Sequence, residues 1–143
     1  KWKKTVFQVY KEASLNPEWN SELQKTCSKY NIDYMTAPYD FDYVDDVNKY
    51  ISAYKIGSGD ITWIEIIKKI ASKKKPVILA TGASSMEDVE RALKCIKKVN
   101  KKIVLMQCNT NYTGSKKNIE CLNLNVLKTF KKKVWKKYNT WLK

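Results

Sequence analysis

The amino-acid sequence predicts an α/β fold in which four short strands, each followed by a helix, form one parallel sheet. The strands are expected to begin near Ile32, Ala53, Val77 and Ile103, at similar intervals along the chain. Between them, apolar residues recur at every third or fourth position, which is the period of an amphipathic helix. Strands that alternate with helices join through right-handed crossovers and therefore lie parallel.

The amino-terminal part is predicted to be helical. Lys1–Lys11 has apolar side chains at helical spacing among basic ones, a pattern that favours a short amphipathic helix. A second helix is expected to begin after Asn16, because a capping residue followed by proline and glutamate is typical of a helix start. Its buried face would contain Trp19, Leu23 and Cys27.

The first two strands are predicted to be Ile32–Ala37, which ends at a proline, and Ala53–Ile56, which ends at a glycine-rich turn. Between these strands, Asp40 can cap a short helix. The helix would turn Val44 and Val47 toward the core.

The next two helices carry clearer signals. Asp60 or Thr62 can cap the helix after the second strand, and its buried face would contain Trp63, Ile66, Ile67 and Ile70. Ser84 and Glu87 form a capping box for the following helix. The inward residues of that helix would be Val89, Leu93 and Ile96.

The third and fourth strands, Val77–Ala80 and Ile103–Met106, are apolar throughout, as expected for parallel strands covered on both faces. A closed (β/α)8 barrel contains eight βα units and roughly 250 residues. The 143 residues of this chain are therefore predicted to hold part of such a barrel.

The carboxyl-terminal segment is predicted to contain a last helix near Leu122–Phe130. The basic tail Lys131–Lys143 does not look like the next strand of a barrel. We therefore expect a partial barrel domain over residues 1–130 and a tail outside its pattern over residues 131–143.

The charge balance is strongly basic: 28 Lys and Arg residues against 14 Asp and Glu residues leave a formal net charge of +14. Such a charge suits a nucleic-acid binder, because cations displace counterions from phosphates. However, the lysines are spread over all helical stretches, and Arg91 is the only arginine, the usual base-reading residue. We expect solvated lysine faces rather than a nucleic-acid surface.

No apolar run approaches the roughly 18 residues of a membrane helix, so a cytoplasmic location without a membrane partner is expected. The chain has no histidine, which excludes the usual Cys/His zinc site and histidine-based triads. Its four cysteines lack paired spacing and are expected to be reduced thiols. Among them, Cys108 ends a strand and is placed to line a site.

Polar residues follow three consecutive strands. Lys55 precedes the turn Gly57–Gly59, whose backbone N–H groups can approach an anion. Thr81 and Gly82 follow the third strand, and Asn109–Tyr112 follows the fourth. Because the carboxyl ends of parallel strands meet at one edge, these groups predict an anion site there. A tight turn with a solvent-directed lysine is the alternative for the first motif.

Taken in order, the motifs KIGSGD, PVILATG and QCNTNY resemble the N-acetylneuraminate (sialic acid) synthase family, which includes legionaminate and pseudaminate synthases. The resemblance covers about residues 6–130. It implies a partial (β/α)8 TIM barrel of aldolase type. It also implies a transferase that condenses phosphoenolpyruvate with an N-acylated mannosamine-type sugar to a nonulosonic acid and releases phosphate.

The same resemblance implies roles for individual residues. Lys55 and Ser58 would hold the phosphate or carboxylate of phosphoenolpyruvate, as a cation and a hydroxyl can. Asp60 would be the catalytic residue. The remaining substrate-binding residues would come from the loop after the fourth strand, namely Thr110, Asn111 and Tyr112.

Members of that family use a divalent metal, manganese or magnesium, and act as homodimers. The histidine ligands of the metal lie on later strands of the family barrel and are absent here, so no residue of this chain is assigned to the metal.

Two alternatives to a synthase fragment remain at this point. A non-catalytic half barrel could bind anionic ligands and close with a second copy into eight strands. Alternatively, the basic charge and the tail could bind a polyanion or a membrane surface.

Overall fold

The computed structural model describes residues 3–135 and 141–142 and shows a parallel sheet of five strands. The first four strands, with their helices, are the predicted βα units, so the predicted α/β fold is confirmed. Each strand pairs with the next one along the chain. The strands are β1 (Met35–Thr36), β2 (Ala53–Ile56), β3 (Val77–Ala80), β4 (Ile103–Met106) and β5 (Trp141–Leu142).

Helices precede the sheet and alternate with its strands. They are α1 (Val6–Ala13), α2 (Trp19–Lys29), α3 (Tyr43–Asn48), α4 (Ile64–Ser72), α5 (Met86–Lys97) and α6 (Val126–Thr129). Two 3₁₀ turns, Ser58–Asp60 and Lys116–Ile119, follow β2 and β4, and a π-helix, Phe130–Trp135, continues α6. None of the helices in the described part of the chain is long and apolar enough to cross a bilayer.

The hydrophobic core lies between the helices and one face of the sheet. Tyr54, Leu79 and Leu105 come from three adjacent strands and are completely buried. They belong to one cluster with the inward residues of α3, α4 and α5, including the predicted Val44 and Val47. The helical periodicity therefore predicted the core of this half of the molecule, except at Trp63, which precedes the first turn of α4 and is 36% exposed.

The opposite face of the sheet is only half covered. Lys55, Ile78 and Val104 lie side by side in register on β2, β3 and β4. Because side chains alternate along a strand, they point away from the helices, and all three are half-buried. In a closed barrel this face would be the interior, covered by the remaining strands.

Strand β1 is shorter than predicted. It contains only Met35 and Thr36, and Ile32, which was expected to begin it, is 60% exposed. The reason is its position at the edge of the sheet, where it pairs over two residues with β2 and with no second neighbour among the described residues.

The predicted buried face of α2 is wrong at Trp19, which is 57% exposed, whereas Leu23 and Cys27 are half-buried. The fully buried residue of this helix is Asn20, at 1% exposed. The Asn20 side-chain oxygen accepts hydrogen bonds from the Tyr34 and Tyr43 hydroxyls at 2.8 and 3.0 Å. A buried amide is tolerated when its polar atoms are paired in this way, and periodicity alone does not detect such pairing.

Two predicted helix starts are also corrected. Helix α4 is preceded by Trp63, with no side-chain cap from Asp60 or Thr62. The capping box of α5 is formed by Ser85 and Asp88, one residue later than the predicted pair. Serine and an acid recur at the same spacing in both registers, so the local pattern does not distinguish them.

The tail was not expected to contribute a strand, and the structure differs. Phe130 and Val134 are buried in the core on one side of the last helical segment. Beyond them, Trp141–Leu142 forms β5 and pairs in parallel with β4. Residues 136–140 and 143 of the predicted tail lie outside the described residues.

Candidate active site at the carboxyl ends of the strands

The ends of β2, β3 and β4 surround a cleft of about 470 Å³. Five of the six predicted site residues line this cleft: Lys55, Ser58, Asp60, Thr110 and Tyr112. They come from β2 with the turn after it and from the loop after β4, which are separated by more than forty residues of sequence. Parallel pairing of the strands brings the loops together, because it places all the carboxyl ends at one edge of the sheet.

The cation of this cleft is Lys55. Its side chain leaves β2 on the open face of the sheet and is half-buried. Within residues 3–135 and 141–142, its ammonium group makes no ion pair or hydrogen bond. A positive charge held at a cleft without a protein counterion is available to an anionic ligand.

Ser58 connects the first two loops of the cleft. Its Oγ accepts a hydrogen bond from the backbone N–H of Gly82 at 3.0 Å. Gly82 is buried. The bond joins the turn after β2 to the turn after β3, so the position of the Ser58 hydroxyl depends on the second turn.

Asp60 is one of two acidic residues that line the cleft, and it is the predicted catalytic residue. A Cβ atom at residue 57 would lie 2.8 Å from Asp60 Oδ2, so the carboxyl group sits directly on Gly57. Partial burial raises the pKa of the Asp60 carboxyl above its ordinary value. A carboxyl group with a raised pKa keeps its proton to higher pH, which suits a group that takes up and returns a proton.

Tyr39 is a cleft residue that the sequence reasoning missed. A Cβ at residue 57 would lie 3.5 Å from both Cε1 and the hydroxyl oxygen of Tyr39, so its ring forms a wall beside Gly57. Its position in the chain could have indicated this role, because Tyr39 follows β1 closely, as Ser58 follows β2.

Of the three site residues predicted in the loop after β4, two line the cleft and one does not. Thr110 and Tyr112 line the cleft, and Tyr112 is 93% exposed at its mouth. Asn111 does not line it; its side-chain oxygen accepts a hydrogen bond from the N–H of Thr113 at 3.2 Å. Its carbonyl oxygen accepts another from the amide of Asn118 at 3.3 Å, so Asn111 shapes the loop.

Cys108 lies where it was expected, at the wall of the cleft. It also lines a neighbouring cavity of about 340 Å³ between the ends of β3 and β4, together with Gln107 and Cys121. All four cysteines are free thiols, as predicted.

The sequence model of the NeuB family matches residues 1–138, almost the whole chain. The chain belongs to the NeuB family. The match confirms the resemblance that the three motifs indicated.

Individual NeuB relatives agree with this assignment. The chain is 34% identical over 131 residues to an uncharacterized protein of Methanocaldococcus jannaschii, covering 90% of this chain and 38% of that protein. It is 34% identical over 109 residues to the N,N'-diacetyllegionaminic acid synthase of Campylobacter jejuni, covering 73% of this chain and 33% of that protein. This chain therefore spans about a third of the length of these curated relatives.

A solved structure has the same arrangement. The sialic acid synthetase of Leptospira borgpetersenii, crystallised with citrate, superposes with a TM-score of 0.81 and 25% sequence identity. The superposition covers 92% of this chain and 44% of that one. The four βα units are therefore part of an aldolase-type TIM barrel.

NeuB proteins are commonly metal-dependent, but the residues of this segment do not fit a metal centre. The sequence has no histidine. No group of three or more Cys, Asp or Glu side chains converges anywhere in the described residues. Two acids of the described residues line the cleft, and the carboxylate of Asp88 already accepts a hydrogen bond from the Ser85 hydroxyl. Asp60 is left, and a single carboxylate does not supply enough ligands to hold a metal ion.

Proposed function

We propose that this chain is the phosphoenolpyruvate-binding segment of a nonulosonic acid synthase. The parent reaction would join phosphoenolpyruvate to the open-chain aldehyde of an N-acylated mannosamine-type sugar and release phosphate. The observation that supports this best is the unpaired Lys55 ammonium in the same cleft as the Ser58 hydroxyl. A dianionic or trianionic ligand needs such a cation and donor, and both are in place before it binds.

The other cleft residues would have two roles, proton exchange and contact with the sugar. Asp60 would exchange a proton with the reacting groups, because its pKa is raised by burial. Thr110 and Tyr112 would contact the sugar at the open side of the cleft, where Tyr112 is exposed. Asn111 would support them by holding the loop.

Catalysis itself is proposed for the longer protein of which such a segment is part. This chain covers about a third of the length of its curated relatives, and the metal expected for the reaction finds no ligand cluster in the described residues. We infer a cytoplasmic location and a homodimer for the parent, in keeping with a biosynthetic enzyme of this family.

The test is binding of phosphoenolpyruvate to the chain, measured by isothermal titration calorimetry at low salt. Replacing Lys55 by Ala should weaken binding by about tenfold or more, because a charge-assisted hydrogen bond contributes about 1.5–3 kcal/mol. Lys101→Ala is the matched control, since Lys101 is exposed and precedes β4 at the opposite end of the sheet.

Equal affinities for the Lys55→Ala and Lys101→Ala variants would contradict the proposal. A second assay would supply manganese and N-acetylmannosamine and measure phosphate. Release above the buffer background would show that the chain is catalytic by itself, contrary to the assignment of catalysis to the longer protein.

A further inference from the structure

Three loops of the cleft meet at one glycine. A Cβ atom added to Gly82 would lie 2.5 Å from Cγ2 of Thr110, 2.9 Å from the carbonyl oxygen of Cys108 and 2.9 Å from Oγ of Ser58. Contacts below 3.0 Å do not occur at real Cβ atoms, and the carbonyl belongs to the backbone and cannot turn away. The turn after β3 therefore packs against both neighbouring loops only because residue 82 has no side chain.

We propose that Gly82 is a positioning residue that directs the Ser58 hydroxyl proton toward the anionic substrate; this inference rests on the proposed function. A serine hydroxyl has one proton to donate and two lone pairs that accept. The Gly82 N–H donates to Ser58 Oγ at 3.0 Å and so occupies one lone pair. Within the described residues, Ser58 Oγ itself donates no hydrogen bond.

This polarity suits an anion. If the hydroxyl donated to a backbone carbonyl, it would present a lone pair to the cleft and repel a phosphate or carboxylate oxygen. By donating from the backbone, Gly82 keeps the proton of Ser58 for the ligand. Because Gly82 is itself buried and its N–H is used, it acts on the ligand through Ser58.

The test compares Gly82→Ala with Gly114→Ala. An alanine Cβ at residue 114 would meet no atom within 4 Å, and Gly114 is exposed and does not line the cleft, so Gly114→Ala is the matched control. We expect Gly82→Ala to weaken phosphoenolpyruvate binding about tenfold and Gly114→Ala to change it less than about twofold. Equal affinities for the two variants would overturn the inference.

Ser58→Ala, made both in the unaltered chain and in the Gly82→Ala variant, distinguishes an effect of Gly82 through Ser58 from a merely structural effect. On the unaltered chain, Ser58→Ala should weaken binding; on Gly82→Ala it should add no further loss, because Ser58 is already misplaced. Additive losses would overturn the inference.

A nuclear magnetic resonance experiment covers the case in which Gly82→Ala does not fold. The backbone amide resonance of Gly82 should move in Ser58→Ala, and it should respond to phosphoenolpyruvate only when Ser58 is present. An unmoved Gly82 resonance would overturn the inference. If the unaltered chain binds no phosphoenolpyruvate, the proposed function fails as well; if Lys55→Ala loses binding while Gly82→Ala retains it, only the role of Gly82 fails.

Discussion

At the scale of single residues, the cleft holds two carboxyl groups in opposite surroundings. Burial raises the pKa of Asp60, which has no hydrogen-bonded partner for its side chain in the described part of the chain. Hydrogen bonds from the Ser85 hydroxyl and backbone N–H lower the pKa of Asp88, which caps α5. The first group opposes folding when it is ionised, and the second supports it, so their effects on stability have opposite pH dependence.

Asp60→Asn should therefore stabilise the fold at pH 7 and leave stability unchanged at pH 3. The unfolded chain loses the Asp60 proton near the ordinary value of 3.8, whereas the folded chain retains it to higher pH. Stability contributed by the protonated form is thus present below pH 3.8 and is lost as the pH rises through the raised folded value. Urea unfolding of both proteins at pH 3, 5 and 7 measures the difference.

Asp88→Asn is the control with the opposite sign. Its folded pKa is lowered, so the carboxylate stabilises the fold above the ordinary value of 3.8, and the advantage over Asn fades as the pH falls through the lowered value. A destabilised Asp60→Asn protein with the same deficit at pH 3 and pH 7 would contradict the argument.

At the scale of secondary-structure elements, the connection between α4 and β3 is held by three consecutive lysines. Lys73 pairs with Asp45 of α3, and Lys74 donates to the carbonyl of Val99 after α5. Lys75 donates to the carbonyl of Asn48, the last residue of α3, and to that of Ile51 in the loop after it. Lys74 and Lys75 therefore pair with carbonyl groups at or just beyond helix ends, where the helix leaves carbonyls without a partner. The charge run is therefore part of the fold rather than a freely solvated face.

Lys75→Met should lower the free energy of unfolding by about 1–3 kcal/mol. Methionine keeps the apolar length of the side chain but leaves the carbonyls of Asn48 and Ile51 without this donor. The matched control is Lys101→Met at an exposed position, which should change stability by less than about 0.5 kcal/mol. Urea denaturation at neutral pH measures both variants, and similar losses in the two would show that only net charge matters.

At the scale of the whole molecule, the sheet is open. Its two edges are β1 and β5, and the face that contains Ile78 and Val104 is half covered. Unpaired edges and a partly bare apolar face recruit other chains. In the longer relatives, further strands are available to close the barrel; in this chain alone, a second copy can do so.

The isolated chain is therefore expected to self-associate, and Val104→Lys should shift it toward the monomer. A lysine on the open face introduces a charge that a closing partner would have to bury. Val99→Lys is the control, because Val99 is 43% exposed in the loop between α5 and β4. Sedimentation equilibrium at micromolar concentration measures the mass; a folded, monomeric unaltered chain would rule out closure by a second copy.

Local sequence determined much of this protein. Apolar runs placed β3 and β4 at the correct residues, and helical periodicity found the buried faces of α4 and α5 except at Trp63, which is 36% exposed. The motifs at the strand ends indicated both the family and five of the cleft residues. These features depend on side chains close together in the chain, whose pattern repeats with the period of the element that they form.

Tertiary structure alone decided the rest. The buried position of Asn20 depends on two tyrosine hydroxyls from other elements, and Tyr39 reaches the cleft only because β1 lies beside β2. The strand in the tail depends on an edge that β4 offers. Gly82 is required by three atoms on two other loops. Each of these is a contact between residues distant in sequence, and no local period encodes which distant partner a residue will meet.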